Sequence, residues 1–96
     1  MIKKQYPLVW DEQNREHIRK HGVTIAEVEE VYSNPAVSFE AKNRRQGIIA
    51  KVKNGRMIAV FLSFEKQKGP YVVSARDAGF KERGLFYDQT KTNQTI

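Results

Sequence analysis

Four side chains of this sequence belong to types that can carry out acid–base chemistry on a phosphate ester: Arg76, Lys51, His21 and Tyr87. Metal-free cleavage of RNA needs a base for the 2′-hydroxyl proton, cations for the charge that builds on the phosphate, and an acid for the leaving 5′-oxygen. Arginine, lysine, histidine and tyrosine can supply these functions between them. These four residues are therefore the candidate catalytic set.

Arg76 is the strongest candidate, because it ends a predicted strand and its planar guanidinium can bind a phosphate through two parallel hydrogen bonds. A structural ion pair with Glu82 or Asp11 is the alternative. Side-chain alternation along the strand predicts Arg76 on the same side as Ser74 and Val72. Whether that side faces the helices or the open face is left undecided by the sequence.

His17 and His21 lie one helical turn apart and could take part in acid–base steps near neutral pH. Metal ligands use the same spacing, but the sequence has no HExxH glutamate and no evident third ligand, so it predicts no metal site and no cofactor. Packing against the core is the alternative for both histidines. Tyr87 is either a core residue or a ring on which a base could stack.

Further cations are candidates for contacts with an RNA backbone. Lys51, Lys53 and Arg56 share one face of a predicted hairpin, with an ordinary solvated hairpin tip as the alternative. The predicted RNA-binding residues are Lys20, Arg44, Arg45, Lys53, Arg56 and Arg83.

Composition sets the limits for this chemistry. Ninety-six residues predict a single domain, here residues 1–89, followed by a frayed polar tail over 90–96. The absence of cysteine excludes disulfides, thiol nucleophiles and cysteine-based metal sites. Seventeen Lys and Arg against eleven Asp and Glu give a net charge of +6, which favours a polyanionic partner. Without an apolar run of about 20 residues or a signal-peptide pattern, we expect a cytoplasmic protein with no membrane partner.

Two N-terminal helices are predicted to position part of these residues. Asp11 is a good N-cap and Gly22 a good C-terminal glycine for a helix over 12–21. Thr24-Ile25-Ala26-Glu27 matches a capping box for a second helix, which Asn34-Pro35 ends. Glu27, Glu29 and Glu30 lie outside the apolar stripe of this second helix.

Four strands and a last helix follow. The predicted strands cover 37–40, 48–53, 56–65 and 71–76, and Asp77 is the predicted cap of a helix over 79–89 with Phe80, Gly84 and Tyr87 on one stripe. Asn54-Gly55 predicts a two-residue hairpin turn that pairs Lys51 with Ile58. The opposite face, with Ala50 beside Ala59, would then be wholly apolar and carry the helices. The fold class is α+β with a mainly antiparallel sheet.

Several motifs, in order, resemble the BrnT family of type II toxins. They are Trp10-Asp11-(x2)-Asn14-(x2)-His17-(x3)-His21-Gly22-Val23, then Asn34-Pro35, then Gly55-Arg56 before an apolar strand, and finally Ser74-Ala75-Arg76-(x)-Ala78 with Glu82, Arg83 and Tyr87. Together they cover about residues 9–88. Each motif is common alone, but the ordered set is specific.

The resemblance implies a RelE/ParE-like fold and a ribonuclease toxin that blocks translation. It also implies an acidic ribbon-helix-helix antitoxin as the partner, with promoter DNA bound only through the toxin–antitoxin complex. The chain departs from the family in residues 36–50, where family members tend to carry an acidic, histidine-containing stretch followed by Ile-Gly. Here the stretch is shorter and strongly basic, and Ile49-Ala50 follows.

Two alternatives stay open at this point. One is a non-catalytic module that binds nucleic acid or an antitoxin, which the basic 42–45 segment and the lack of an evident acid–base pair would suit. The other is a gyrase-directed toxin on the same fold, which the motif set favours less.

Overall fold

Two short helices, four strands and a third helix make up the computed structural model, which describes residues 6–65 and 69–90. The elements are α1 (Glu12–Lys20), α2 (Ile25–Ser33), β1 (Val37–Ala41), β2 (Arg45–Lys51), β3 (Met57–Ser63), β4 (Tyr71–Asp77) and α3 (Phe80–Thr90). The strands form one antiparallel sheet in the order β1-β2-β3-β4. The predicted α+β class and element order are therefore confirmed.

The end of the chain differs slightly from the predicted tail. Thr90 is the last residue of α3, one position beyond the predicted boundary of the domain. Residues 91–96, the rest of the predicted tail, lie outside the described residues. Among the described residues, no helix is long and apolar enough to cross a membrane.

The predicted helix signals are confirmed at α1 and α2. Asp11 and Asn14 form a reciprocal capping box at the start of α1, and Thr24 and Glu27 form another at α2. Gly22 follows the C-cap of α1 with a φ of 73°, a conformation that glycine adopts without steric cost. The turn between the helices can therefore be very short.

The two faces of the sheet carry separate cores. Helices α1 and α2 cover one face through Ile18, Val28 and Val31, which pack on alternate residues of β2, β3 and β4. Helix α3 covers part of the other face through Phe86, which packs against a second cluster that includes Ile49 and Ala59. The sheet is thus the middle layer, and the face beneath α3 is only partly covered.

The predicted register of the β2–β3 hairpin is wrong by one residue. Lys51 pairs with Met57 and Ala50 with Ile58, because the turn contains three residues and not two. The N–H of Val52 donates to the carbonyl of Arg56, and Gly55 takes a φ of 95°. This is the geometry of a type I turn followed by a glycine bulge. Lys51 therefore shares the face of α3 with Met57, whereas Ile58 lies on the face of α1 and α2.

A second irregularity changes the faces of β4. The pairing between β3 and β4 shifts after Phe61, so that Ser74 lies opposite Phe61 but Val72 lies opposite Leu62. Val72 is consequently buried in the core beneath α1 and α2, and not on the side of Arg76 as the alternation predicts. Arg76 is on the α3 face of the sheet, where it lies across from Ala59.

The start of α3 also differs from the prediction. Asp77 is the last residue of β4 and its carboxylate pairs with Arg56, so it is not the cap of α3. Glu82 instead accepts a hydrogen bond from the N–H of Gly79, at 2.6 Å. The predicted stripe is wrong as well, because Phe80 is 92% exposed while Phe86 is the buried residue of the helix.

Candidate active site

One row of side chains crosses all four strands on the part of the sheet that α3 leaves open. Phe39 of β1 lies opposite Gly47 of β2, Gly47 opposite Phe61 of β3, and Phe61 opposite Ser74 of β4. The row therefore alternates two aromatic rings with two small residues. We call it the aromatic row.

Gly47 is required by the position of Phe39. A Cβ atom on Gly47 would lie 2.3 Å from the Cζ atom of Phe39, closer than two carbon atoms can approach. The outer end of the Phe39 ring thus occupies the space above the glycine. From there it meets Phe61 edge to face, with 6.0 Å between ring centroids and 87° between planes.

Arg76 lies next to this row. Its Nη1 and Nη2 atoms donate to the two carboxylate oxygens of Glu82, at 2.7 and 2.9 Å. Its guanidinium carbon also lies 5.1 Å from the centroid of the Phe61 ring, a cation–π contact. The ion pair with Glu82, one of the two alternatives for Arg76, is therefore present. It leaves the side chain of Arg76 40% exposed.

Glu82 is the buried member of this pair. Burial raises the pKa of Glu82, but hydrogen bonds from the Arg76 guanidinium and from the Gly79 N–H outweigh it, and the pKa lies below the ordinary value. The hydrogen bond that Arg76 donates to Glu82 in turn raises the pKa of Arg76. At neutral pH the pair is thus a carboxylate and a guanidinium, and the carboxylate holds Arg76 in place.

A cavity of about 440 Å³ opens above the aromatic row. Its walls combine the two rings with charged groups from the β1–β2 turn, among them Lys42 and Arg45, and with Arg76 from β4. Glu40 and Glu82 are the carboxylates of the lining. Because Arg76 neutralises Glu82, the remaining charge of the wall is positive, which suits an anionic ligand.

The β1–β2 turn has an unusual backbone. Asn43 and Arg44 take φ values of 60° and 61°, and the N–H of Arg45 donates to the carbonyl of Lys42. A tight turn of this kind requires positive φ at both central positions. Asparagine tolerates this conformation, whereas arginine pays a steric cost. The side chain of Arg44 is largely exposed and lies 3.6 Å from the carboxylate of Glu65.

Lys51, Tyr87 and Arg83 lie along α3 and not in the cavity. The Nζ atom of Lys51 is 5.9 Å from the centroid of the Tyr87 ring. Tyr87 and Arg83 line a shallow groove beside α3, which contacts the cavity through Phe39 and Glu82. Lys51 is two strands away from Arg76, because β3 lies between β2 and β4.

Arg56 is bound by other parts of the protein. Its guanidinium donates to Glu27 at 3.1 Å, to Asp77 at 3.0 Å and to the carbonyl of Gly22 at 2.9 Å. Glu27 is buried, although the sequence pattern places it outside the apolar stripe. Burial raises the pKa of Glu27, but hydrogen bonds from Thr24 and its other partners lower it below the ordinary value.

The same network holds the neighbouring turn. The amide of Asn54 donates to Glu27 at 2.8 Å, and the backbone N–H of Lys53 donates to Glu30 at 2.7 Å. The side chain of Lys53 stays exposed at the tip. This end of the sheet is therefore tied to α2.

The residues predicted on α1 lie in the other helical layer. His17 and His21 are exposed and meet edge to face, with 5.1 Å between centroids, and Lys20 is exposed beside them. The packing alternative for the two histidines is thus wrong. Among residues 6–65 and 69–90, no three His, Asp or Glu side chains are close enough together to hold a metal ion.

The structure thus brings Arg76 and Arg45 into one cavity and places Lys51 beside Tyr87 along α3. It leaves His21 and Lys20 in the opposite layer. Phe39, Phe61 and Lys42 are cavity residues that were not singled out as site residues from the sequence. The register of the hairpins is the signal that would have found the two rings.

Comparison with known proteins identifies the family of the chain. Residues 10–82 match the sequence model of a family described as the ribonuclease toxin BrnT of type II toxin–antitoxin systems. No curated protein and no solved structure matches the chain. The family match includes most of the chain and both Arg76 and Glu82. The chain therefore belongs to the BrnT family of ribonuclease toxins.

Proposed function

We propose that this protein is a metal-independent endoribonuclease of the mRNA interferase type, which inhibits translation, and that the cavity containing Arg76 is its active site. The observation that carries the proposal is the position of Arg76, held by Glu82 in the wall of an open, cationic cavity. Membership of a ribonuclease toxin family supports the same reaction.

The free edge of the Arg76 guanidinium fits a phosphate. Nη1 and Nη2 each donate to Glu82, whereas Nε donates to no acceptor among the described residues. Nε–H and the second Nη2–H lie along one edge of the planar group, the edge that binds two phosphate oxygens at once. Glu82 therefore orients Arg76 without occupying that edge.

The reaction follows from these contacts. The ribose 2′-oxygen attacks phosphorus, the bond from phosphorus to the 5′-oxygen breaks, and the proton lost from the 2′-hydroxyl is balanced by one gained at the 5′-oxygen. The products are a 2′,3′-cyclic phosphate and a 5′-hydroxyl. Arg76 stabilises the negative charge that builds on the phosphate oxygens, and Lys42 and Arg45 bind neighbouring phosphates.

The proton-transfer roles of Lys51, His21 and Tyr87 stay predictions, as do the RNA contacts of Lys20, Arg44, Lys53, Arg56 and Arg83. Their positions make separate tests informative. Replacement of His21 reports on the layer opposite Arg76, and replacement of Tyr87 reports on the groove beside α3.

The test is cleavage of a labelled single-stranded RNA by purified protein, with and without EDTA. We expect cleavage that EDTA does not change, products ending in a 2′,3′-cyclic phosphate, and loss of cleavage in Arg76→Ala. Loss of activity in EDTA would contradict metal independence. Cleavage by Arg76→Ala at the rate of the parent protein would remove Arg76 from the active site.

We propose further that the protein acts in the cytoplasm and is neutralised by an acidic ribbon-helix-helix antitoxin, and that promoter DNA is bound only by the complex. The net charge of +6 supports an acidic partner. Co-purification of the toxin with the product of a neighbouring short gene tests the partner. DNA binding by the toxin alone at physiological salt would contradict the last part.

A second candidate is a module of the same fold that binds RNA without cleaving it. It is favoured by the separation of the predicted catalytic residues, since His21 and Arg76 lie in different layers. Binding of RNA that stays intact over many hours, with normal growth of cells expressing the protein, would select this candidate.

A further inference from the structure

We infer that the aromatic row is a stacking site for one unpaired nucleobase, placed so that the flanking phosphate reaches Arg76. The inference rests on the proposed function, because it names the part of the RNA that the cavity receives.

The shape of the aromatic row suits a planar ligand. Phe39, Gly47, Phe61 and Ser74 are consecutive across four strands, so the two rings stand beside positions with almost no side chain. Phe39 lies in the lining of both the cavity and the groove beside α3. Its ring therefore forms a ridge between two open spaces, and a planar group can lie against it.

The aromatic row lowers the stability of the sheet. Aromatic rings usually fill a core, yet both rings lie at the edge of the cluster beneath α3 and are only partly buried. Gly47 weakens β2, because glycine loses more conformational freedom on folding than other residues and contributes no side chain to the sheet. A half-buried aromatic pair that needs a glycine inside a central strand is better explained by a ligand than by stability.

Cationic side chains surround the two rings. The Arg76 guanidinium lies over the Phe61 ring and adds a cation to the aromatic surface, and Lys42 and Arg45 are further cations of the cavity lining. Rings interleaved with cations are what single-stranded nucleic acid requires, because the bases stack and the phosphates pair with the charges. A base inside a duplex could not reach the row, since its faces are already stacked.

The test uses a short single-stranded oligoribonucleotide with 2′-O-methyl riboses, which cannot be cleaved, and with 2-aminopurine placed at each position in turn. Stacking quenches 2-aminopurine fluorescence. We expect quenching at one position on binding, loss of that quenching in Phe39→Leu, and a dissociation constant raised about tenfold or more.

Two variants keep the result interpretable. Phe39→Tyr retains the ring and should retain the quenching, which separates the role of the ring from any effect on folding. Phe80→Leu removes an exposed ring outside the row and should change neither quenching nor affinity. Unchanged quenching in Phe39→Leu, or an equal loss in Phe80→Leu, would overturn the inference.

A cleavage assay separates this inference from the proposed function. The same scissile sequence is presented unpaired and within a stem, and we expect the unpaired form to be cut at least a hundredfold faster. Equal rates would overturn the stacking site while the ribonuclease stands. Position-specific quenching without any cleavage would leave the stacking site and overturn the ribonuclease.

Discussion

Arg56 directly precedes β3 and Arg76 lies in the neighbouring strand β4, yet the two guanidinium groups have different surroundings. Arg56 donates to two carboxylates and a backbone carbonyl from three different segments, so its fork is filled by the protein. Arg76 donates to one carboxylate and, at 3.4 Å, to the carbonyl of Asp77, and it contacts one ring, but its Nε donates to no acceptor among the described residues. Nε and Nη2 of Arg56 both donate to Asp77, whereas Nε of Arg76 has no acceptor among the described residues. The state of this edge, more than residue type or net charge, separates an arginine that stabilises the fold from one that can bind a ligand.

Arg76→Lys tests whether the guanidinium of Arg76 acts on the substrate. The variant keeps the charge but removes the planar fork that holds both Glu82 and a phosphate. We expect kcat for RNA cleavage to fall by about 100-fold or more, the size of losing one transition-state donor. Steady-state cleavage of a short RNA measures it, with circular dichroism as the check on folding. A loss of less than about threefold would make Arg76 a structural residue like Arg56.

Arg56→Met tests whether Arg56 stabilises the fold. It leaves the buried Glu27 and the exposed Asp77 without their guanidinium, and we expect a loss of about 2 to 3 kcal/mol in the free energy of unfolding. The kcat of the folded protein should stay within about twofold, because the Arg56 guanidinium is already bound by groups of the protein itself. Urea unfolding and cleavage assays measure the two quantities. A large loss of kcat with unchanged stability would show that Arg56 binds substrate after all.

Gly47→Ala tests the close contact between Gly47 and Phe39 in the aromatic row. The new Cβ would overlap the Phe39 ring, so the ring must move, at a cost of about 1 to 2 kcal/mol in unfolding free energy. The double variant with Phe39→Leu should recover part of this loss, because the smaller side chain makes room. Additive losses in the two single variants would contradict the close contact.

The Arg76–Glu82 pair should also be visible in the acid stability of the protein. The pKa of Glu82 is lower in the folded chain than in the unfolded chain, so its contribution is complete above a pH of about 4.3 and is lost as the pH falls through the folded value. Glu82→Gln should therefore lose less stability than the parent protein between about pH 5 and pH 3. Parallel stability curves over that range would contradict the depressed pKa.

The smallest effect is expected at the β1–β2 turn. Arg44 holds a positive φ that glycine adopts without strain, as Gly55 does in the β2–β3 turn. Arg44→Gly should therefore raise the unfolding free energy by about 0.5 kcal/mol, the relief of strain being partly offset by the greater freedom of glycine in the unfolded chain. Weaker RNA binding in the more stable variant would show that Arg44 contacts the RNA.

Local signals were sufficient to predict the helices and the order of the elements. The predicted N-cap at Asp11 and the predicted capping box at Thr24 depend only on residues close in the chain, and both are present. Asn54-Gly55 correctly predicts a hairpin, but the same pair serves a two-residue turn and a three-residue turn. The two-residue turn would have put Lys51 and Ile58 on one face, but the difference of one residue puts them on opposite faces.

Much of the site depended on contacts that no local pattern contains. Arg56 meets Glu27 and Asp77, which are 29 and 21 positions away in the chain. Arg76 and Glu82 are six positions apart, and this nearer pair was one of two partners the sequence suggested. The aromatic row needed the register of three strand pairs and the irregularity after Phe61. Partners close in sequence were predictable, and partners set by register were not.

The consecutive order of the strands has a consequence for how the toxin folds during its synthesis. Each strand pairs with its neighbour in the chain, so the sheet can grow one hairpin at a time with short loop closures. The aromatic row, however, takes one residue from every strand. We therefore expect no partly folded intermediate to possess the site, and a chain leaving the ribosome to stay harmless until its last strand has docked.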